Sequence, residues 1–277
     1  MFHEVGARGY PLELFEQQLR YLTRHFTISP LPEALDRLRS GRIAGDELVL
    51  TFDDGLETHA TRVYPVLERL RLPASFFVCP GLIEGRKGIW TLETRALLSD
   101  LPPDTFVAWA RETGDRPDVD YVLEWMKSLP ISRRREVETS LRKFVGLEEG
   151  EDHTPPARRR LMSWEQLRRL DPDLVTIGSH SLTHPTLPLL EPSELERELR
   201  GSQELLERRL GRPARVFCYP DGAHDARIVE VTRRYYDAAL TTLEGFARPG
   251  HDFHTLPRIP VAQSLPLLAW RLHRPTA

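Results

Sequence analysis

Short apolar runs alternate along most of the chain with segments of helical periodicity. Compact apolar runs predict buried strands at residues 47–52, 74–79, 174–177, 214–219 and 238–242. Apolar positions spaced three or four residues apart predict amphipathic helices at 13–24, 32–40, 63–70, 194–210 and 226–236. Strands that alternate with helices are typical of parallel sheets and barrels. The pattern therefore predicts an α/β fold built on a parallel sheet or barrel.

Residues 91 to about 145 interrupt this alternation with several helices in succession. The segment that follows, residues 146–160, is polar and contains Pro155-Pro156, which predicts a loop or linker. After it, Ser163 to Gln166 fits a capping box that opens a helix. We expect one domain over residues 1–277, with a helical insertion at about 91–160.

Composition narrows the classes of partner. A formal net charge of −3 over 277 residues gives no field that would attract nucleic acid. No apolar run reaches 18 residues, so no membrane span is expected. Met1 begins no signal-peptide pattern, which predicts a cytoplasmic chain as given and an extracytoplasmic one if the natural start lies upstream. With two cysteines, Cys79 and Cys218, no disulfide framework is expected, and both are expected to be half-buried thiols near strand ends.

Polar residues that could carry chemistry follow three of the predicted strands. They are Asp53-Asp54, then His180 with His184, then the segment from Tyr219 to Gly222. The histidines are four residues apart, a spacing that on a helical turn places both on one face. In barrels of parallel strands, active sites are built at this end of the strands. Adjacent carboxylates disfavour each other's ionisation, and a divalent cation relieves that cost. Two imidazoles and a carboxylate are a common divalent-metal site, although each pattern taken alone is more often a turn or a histidine pair without metal.

Two segments resemble a known family. Thr51-Phe-Asp-Asp-Gly55 and His180-Ser-Leu-Thr-His184 are similar to the first two motifs of the polysaccharide deacetylases, carbohydrate esterase family four. The similarity also includes residues 72–77 and Gly178-Ser179, and it leaves out the helical insertion. It implies a distorted barrel of about seven βα units, with Asp53 as catalytic base. It also implies that Asp54, His180 and His184 bind a divalent metal, zinc first, with cobalt, nickel or manganese as alternatives.

The later motifs depart from the family pattern. An arginine that orients the base is expected in the third motif, where this chain has Cys218 within residues 217–222. The segment comparable to the last motif is residues 256–260, which contains Arg258. A guanidinium can bind a carboxylate through two hydrogen bonds, so we expect Arg258 to orient Asp53.

The general acid of the family is a histidine in the last motif, and two residues could supply it here. Residues 2–5, Phe-His-Glu-Val, resemble the segment that opens the circularly permuted branch of the family, which includes poly-N-acetylglucosamine deacetylases. The resemblance implies that His3 is the acid. His254, two residues before Leu256, is the alternative, whereas His25, His59 and His153 are expected at the surface.

The resemblance implies a metal-dependent hydrolase that removes N-acetyl groups from a polysaccharide or glycan. The backbone N–H of Tyr219, within the segment Tyr219-Pro220-Asp221, is expected to bind the oxyanion. Tyr219, Trp90 and Trp164 are expected either to rim a sugar groove or to lie in the core. Two alternatives stay open: an amidase for a small or lipid-linked amide, and a glycan-binding module without catalysis. The oligomeric state is left open.

Overall fold

The computed structural model describes residues 1–6, 9–43, 45–113, 118–147 and 159–274. It divides into two compact units, Met1–Lys87 with Arg160–Ala277, and Gly88–Arg159. The second unit agrees with the predicted helical insertion. Most of the predicted loop at 146–160, with Pro155-Pro156 and His153, lies outside the described residues. That all 277 residues form a single domain stays a prediction.

A curled sheet of six parallel strands forms the centre of the first unit, as expected for a distorted barrel. The strands follow one another in the sheet in chain order: β3 (Thr51–Phe52), β4 (Ala74–Val78), β5 (Val175–Ser179), β6 (Val216–Cys218), β7 (Ala238–Glu244) and β8 (Leu256–Arg258). Two further strands, β1 (Thr27–Ile28) and β2 (Glu47–Leu48), form a small parallel sheet.

Amphipathic helices of the first unit pack against the sheet and bury one face each. They are α1 (Leu12–His25), α2 (Leu31–Arg39), α3 (Tyr64–Leu70), α4 (Pro80–Glu84), α9 (Trp164–Arg169), α10 (Pro192–Leu210), α11 (Ala226–Thr232) and α12 (Leu265–His273). A five-residue π-helix, His59–Val63, leads into α3. The predicted capping box of α9 is present, because the Ser163 side chain accepts from Gln166 and the Gln166 side chain accepts from Ser163.

The apolar run at 47–52 is not the one continuous strand that the sequence predicts. Its first half pairs with β1 and its second half with β4, so the run is shared between two sheets. The strand β8 and the helix α12 were not predicted, because a three-residue strand gives too short a pattern to stand out.

The N-terminal segment lies between the first and last strands of the main sheet. Phe2 bridges Phe52 of β3 in parallel, donating to the Thr51 carbonyl at 2.8 Å. On the other side, the Met1 amino group donates to the Ile259 carbonyl at 2.9 Å, and Val261 N–H donates to the Met1 carbonyl at 3.0 Å. Hydrogen bonds to both sides place Met1 and Phe2 where a seventh strand would complete the barrel.

The second unit consists of four successive helices: α5 (Trp90–Asp100), α6 (Pro103–Thr113), α7 (Val119–Ser128) and α8 (Ile131–Phe144). They enclose a core of their own that includes Trp109, Met126 and Leu141. Trp90 belongs to this core, and the Arg134 guanidinium lies 4.4 Å from the centroid of its ring. Trp90 is therefore a core residue of the insertion, the second of the two roles considered for it.

None of the helices in the described ranges is long and apolar enough to cross a membrane.

Candidate active site

Asp54, His180 and His184 converge as the sequence predicts. The Asp54 Oδ1 atom lies 3.6 Å from His180 Nε2 and 3.7 Å from His184 Nε2, and all three residues are buried. A tetrahedral metal with bonds of about 2.0–2.2 Å holds its ligand atoms roughly 3.4 Å apart. The spacing of these atoms therefore suits a cation between them better than a direct hydrogen bond.

The protonation states of the three side chains also suit the binding of a cation. His180 Nδ1 lies 2.7 Å from the Cys218 carbonyl, so Nδ1 carries a proton. Burial alone would lower the pKa of His180, but the neighbouring acidic groups raise it, and a bound cation would take the place of the proton on Nε2 toward Asp54. Burial lowers the pKa of His184, which favours the neutral imidazole that metals bind. Burial alone would raise the pKa of Asp54, but the neighbouring histidines outweigh burial and lower it to about 2, so the carboxyl group is ionised. One anionic and two neutral donors fit a divalent metal.

The segment between the two histidines is not the helical turn that their spacing suggests. Ser181 and His184 have φ angles of 65° and 56°, in the left-handed region. The His184 N–H donates to the Ser181 hydroxyl at 2.9 Å, which closes the turn. As a result the two imidazole centroids lie 4.9 Å apart. The histidines meet through this tight turn rather than through a shared helix face.

A carboxylate on α10 holds the same turn from behind. Glu198, buried on α10, accepts hydrogen bonds from the backbone N–H of Thr183 at 2.8 Å and from its hydroxyl at 2.6 Å. Thr183 directly precedes His184, so this pair of hydrogen bonds fixes the loop that carries this candidate metal ligand. Nothing in the sequence distinguishes Glu198 from the other charged residues of its helix.

Asp53 and Asp54 point to different partners because the chain turns sharply at the end of β3. Asp54 and Gly55 both have positive φ angles, 76° and 67°. A Cβ atom on Gly55 would lie 2.8 Å from Val78 Cγ1, so only glycine fits this turn against β4. Asp54 faces the histidines, and Asp53 is left to bind an arginine.

Arg258 binds Asp53 through two hydrogen bonds, as the sequence predicts. Its Nη1 and Nη2 atoms donate to Asp53 Oδ1 and Oδ2, each at 2.7 Å, and the two residues are only 7% and 1% exposed. The guanidinium also donates to the Thr241 carbonyl at 2.8 Å and to Cys218 Sγ at 3.1 Å. Burial raises the pKa of Asp53, but the charge and hydrogen bonds of Arg258 outweigh it and hold the pKa below its usual range.

His3 lies beside the same carboxylate. Its Nε2 atom is 3.6 Å from Asp53 Oδ2, and its side chain is 47% exposed. The bridge between Phe2 and Phe52 brings His3 to this position, level with Asp53 at the end of β3. Asp53, the cluster of Asp54, His180 and His184, and His3 thus share one end of the barrel, with the His3 side chain partly exposed to solvent.

A sequence model of the family "Polysaccharide deacetylase" matches residues 41–236 of this chain. The chain belongs to the polysaccharide deacetylase family. No curated protein matches it in sequence at a significant level.

Solved deacetylase structures share the fold. The Streptococcus pyogenes deacetylase PplD, determined in complex with acetate, superposes with a TM-score of 0.66 at 18% identity, covering 99% of this chain and 96% of that one. IcaB from Ammonifex degensii gives a TM-score of 0.62 at 20% identity, and the alignment covers 98% of this chain and 95% of that one. The BpsB deacetylase domain from Bordetella bronchiseptica gives a TM-score of 0.56 at 19% identity, and the alignment covers 89% of this chain and 82% of that one. At these identities the likeness shows the fold.

The alternative acid, His254, has both ring nitrogens occupied by hydrogen bonds. It is buried, its Nε2 lies 2.8 Å from the Tyr236 carbonyl, and its Nδ1 lies 3.1 Å from Arg233 Nη1. Both ring nitrogens are therefore engaged in holding α11 and the segment before β8. Of the two candidates, only His3 lies next to Asp53.

The role predicted for the Tyr219 backbone is wrong. Its N–H donates to the Leu240 carbonyl at 3.1 Å, within the pairing of β6 with β7, and so is not free to bind an oxyanion. The Tyr219 side chain is buried and donates to the His254 carbonyl at 3.0 Å. Pro220 is buried in a short helical turn, and Asp221 follows in a left-handed conformation, where its charge acts on His184. Of this segment, Asp221 is the residue whose charge reaches the metal cluster.

Two expectations about exposure need correction, and one alternative is decided for two of the aromatic residues. Cys79, directly after β4, and Cys218, the last residue of β6, are fully buried rather than half-buried, and burial raises the pKa of both thiols. His59 is fully buried rather than at the surface. Trp164 is half-buried, with its indole N–H donating to Glu84 at 2.8 Å. Tyr219 and Trp90 are buried, so these two lie in the core, the second of the two roles considered for them, rather than at the rim of a sugar groove.

A second group of donors lies beside the first. Asp53, His180 and Cys218 also have ligand atoms within 4.8 Å of one another, and these two groups are the ones found among the described residues. Because Arg258 already binds both oxygens of Asp53, the group of Asp54, His180 and His184 is the better metal site.

Proposed function

We propose that this protein is a metal-dependent hydrolase that removes N-acetyl groups from a polysaccharide or glycan. The observation that carries the proposal is the joint presence, at one end of the barrel, of a buried His-His-Asp cluster and a separate carboxylate bound by arginine. Membership of the deacetylase family and the fold shared with known deacetylases support it. Zinc is the first candidate for the metal, since two imidazoles and one carboxylate leave room for water and substrate.

Asp54, His180 and His184 would hold the metal. A divalent cation bound there supplies a Lewis acid that polarises the acetyl carbonyl and lowers the pKa of a water molecule. The residues of the chain then divide the proton transfers between Asp53 and His3.

Asp53 is the general base of the proposed reaction. Arg258 keeps it ionised, orients both oxygens and leaves their remaining lone pairs free to take a proton from water. His3, solvent-exposed and with its Nε2 atom 3.6 Å from Asp53 Oδ2, is the general acid that protonates the leaving amine. Water and the amide are consumed, and acetate and a free amine are formed.

Acetate release tests the proposal directly. The metal-loaded protein is incubated with N-acetylglucosamine oligomers and with peptidoglycan, with and without a chelator, while bound metal is measured by emission spectroscopy. We expect acetate from at least one glycan and loss of release on chelation. Acetate from small cyclic amides alone would favour the amidase alternative. A protein that binds glycan without stoichiometric metal or acetate release would favour a binding module.

Two matched variants test the role of the base. Asp53→Asn should lower kcat by about 10²–10⁴-fold with metal still bound, since a general base contributes that much. Asp173→Asn, a change at an exposed aspartate, should leave kcat unchanged. Full activity of Asp53→Asn with metal bound contradicts the assignment.

A further inference from the structure

His59 lies on the π-helix that follows the Asp53-Asp54 segment, and it reaches the N-terminal segment. Its Nε2 atom is 2.7 Å from the carbonyl oxygen of His3. Arg62 on the same π-helix donates from Nη1 to the Gly6 carbonyl at 2.9 Å. The π-helix therefore holds two carbonyl groups of the segment that carries His3. π-Helical turns are rare and occur frequently at functional sites.

The surroundings of His59 define its protonation. The side chain is 0% exposed and lies between the rings of Phe52 and Phe76, with centroid distances of 5.5 Å to each. Burial lowers the pKa of His59 to about 4, so the imidazole is neutral at ordinary pH. A carbonyl group only accepts, so the single ring proton lies on Nε2 and is donated to His3.

Packing alone does not account for a histidine at this position. Its Nδ1 atom is buried and has no hydrogen-bond partner within the part of the chain that the structure describes. An apolar side chain would fill the space between two phenylalanine rings without leaving a polar atom unpaired. Compared with such an apolar side chain, the imidazole of His59 provides one further interaction, the hydrogen bond to the His3 carbonyl.

His3 needs such an anchor because its own side chain is half in solvent. Packing cannot hold a side chain that is 47% exposed, so its position relative to Asp53 depends on the backbone. Phe2 is fixed on one side by its bridge to β3, and His59 fixes the next carbonyl along the chain.

We propose that His59 is a positioning residue for His3: its Nε2–H holds the His3 carbonyl and thereby keeps the His3 imidazole beside Asp53, at the leaving amine. This inference rests on the proposed function, in which His3 is the general acid. In this role His59 acts through His3 rather than as a catalytic residue itself.

The test compares two leaving groups. An N-acetylglucosamine oligomer has an amine leaving group that needs a proton, whereas the phenolate of 4-nitrophenyl acetate leaves without one. His59→Leu should lower kcat on the oligomer by about 10–100-fold, part of the 10²–10⁴-fold that a general acid supplies, and change ester hydrolysis by less than about threefold. His59→Gln should restore most of the activity, because its amide nitrogen occupies the place of Nε2.

Controls separate positioning from general destabilisation. His25→Leu, at an exposed histidine, should change neither rate. In a His3→Ala background, His59→Leu should cause no further loss, because the acid it positions is absent. Should His59→Leu fail to fold, His59→Asn takes its place, since the shorter amide does not reach the His3 carbonyl. The proposal is overturned if His59→Leu lowers kcat equally on the amide and on the ester, or if it lowers kcat in the His3→Ala background as much as in the wild type.

Failure of the inference and failure of the proposed function are distinguishable. Wild-type protein that binds metal and releases no acetate from any substrate refutes the function. An active wild type whose His59→Leu variant loses nothing on the oligomer refutes only the positioning role. NMR of the histidine ring nitrogens gives a readout that needs no activity. We expect the Nε2–H tautomer with a slowly exchanging proton, and an Nδ1–H tautomer overturns the proposal.

Discussion

Replacing Arg258 with methionine tests how the buried pair with Asp53 shapes stability and catalysis. Methionine keeps much of the volume of the side chain and removes its charge and donors. The Asp53 carboxylate, 1% exposed, then loses both 2.7 Å hydrogen bonds and its countercharge. Removing one partner of a buried ion pair costs about 3–5 kcal/mol, because an uncompensated charge stays inside. We expect a loss of that size in the free energy of unfolding.

The pH dependence should change sign with the substitution. In the wild type the pKa of Asp53 is held below its unfolded value of about 3.9, so the pair stabilises the fold above that pH and its contribution falls as the pH drops through the folded pKa. Without Arg258, burial raises the pKa of Asp53. Arg258→Met should therefore gain stability when acidified from pH 7, and the acid limb of kcat/KM should move to higher pH.

Urea unfolding followed by circular dichroism measures these effects, with chelator present so that metal binding does not contribute. The double variant with Asp53→Asn should be more stable than Arg258→Met alone, since no charge is then left unpaired. Arg215→Met is the matched control: its ion pair with Asp237 is exposed and should contribute no more than about 1 kcal/mol. A loss below about 1 kcal/mol for Arg258→Met, or additive losses in the double variant, would refute the reasoning.

Three further predictions concern the metal loop, the sheet and the thiols. Glu198→Ala removes the carboxylate that holds the loop between the histidine ligands and should weaken zinc affinity by about 10–100-fold in a competition titration, whereas exposed Glu207→Ala should not. Gly178→Ala places a Cβ atom 2.4 Å from the Phe77 ring and should lower the free energy of unfolding in urea by about 1–3 kcal/mol. Gly201→Ala, in α10, places its Cβ atom 3.4 Å from the nearest side chain and should raise the free energy of unfolding by up to about 1 kcal/mol. Cys218 is fully buried with a raised pKa, so a thiol reagent should modify it only after unfolding, and rapid modification of the folded protein would contradict the described burial.

Local patterns predicted much of the fold. Alternating apolar runs and helical periodicity indicated the parallel strands and most helices of the first unit, and the break in that rhythm marked the insertion. The division of residues 47–52 between two sheets could not be predicted in this way. It depends on which strand pairs with each half, and those partners lie elsewhere in the chain.

The candidate site shows the same distinction. Asp54, His180 and His184 were recognisable because each pair of neighbours lies within a short segment of typical spacing. The Tyr219 assignment failed because a backbone N–H at a strand end can pair with the next strand, and no feature of its own sequence reveals that partner. The role of Glu198 was missed because a carboxylate on a highly charged helix gives no local signal.

The sequence by itself determined the α/β class, the family and the set of residues able to bind metal and move protons. Only the tertiary structure decided that Met1 would pair with Ile259, 258 residues away, so that His3 arrives beside Asp53. It also decided that His59 would be buried between two phenylalanine rings and donate to His3. Periodicity and motif spacing are local properties, whereas burial and hydrogen-bond partners depend on segments that meet only when the barrel closes.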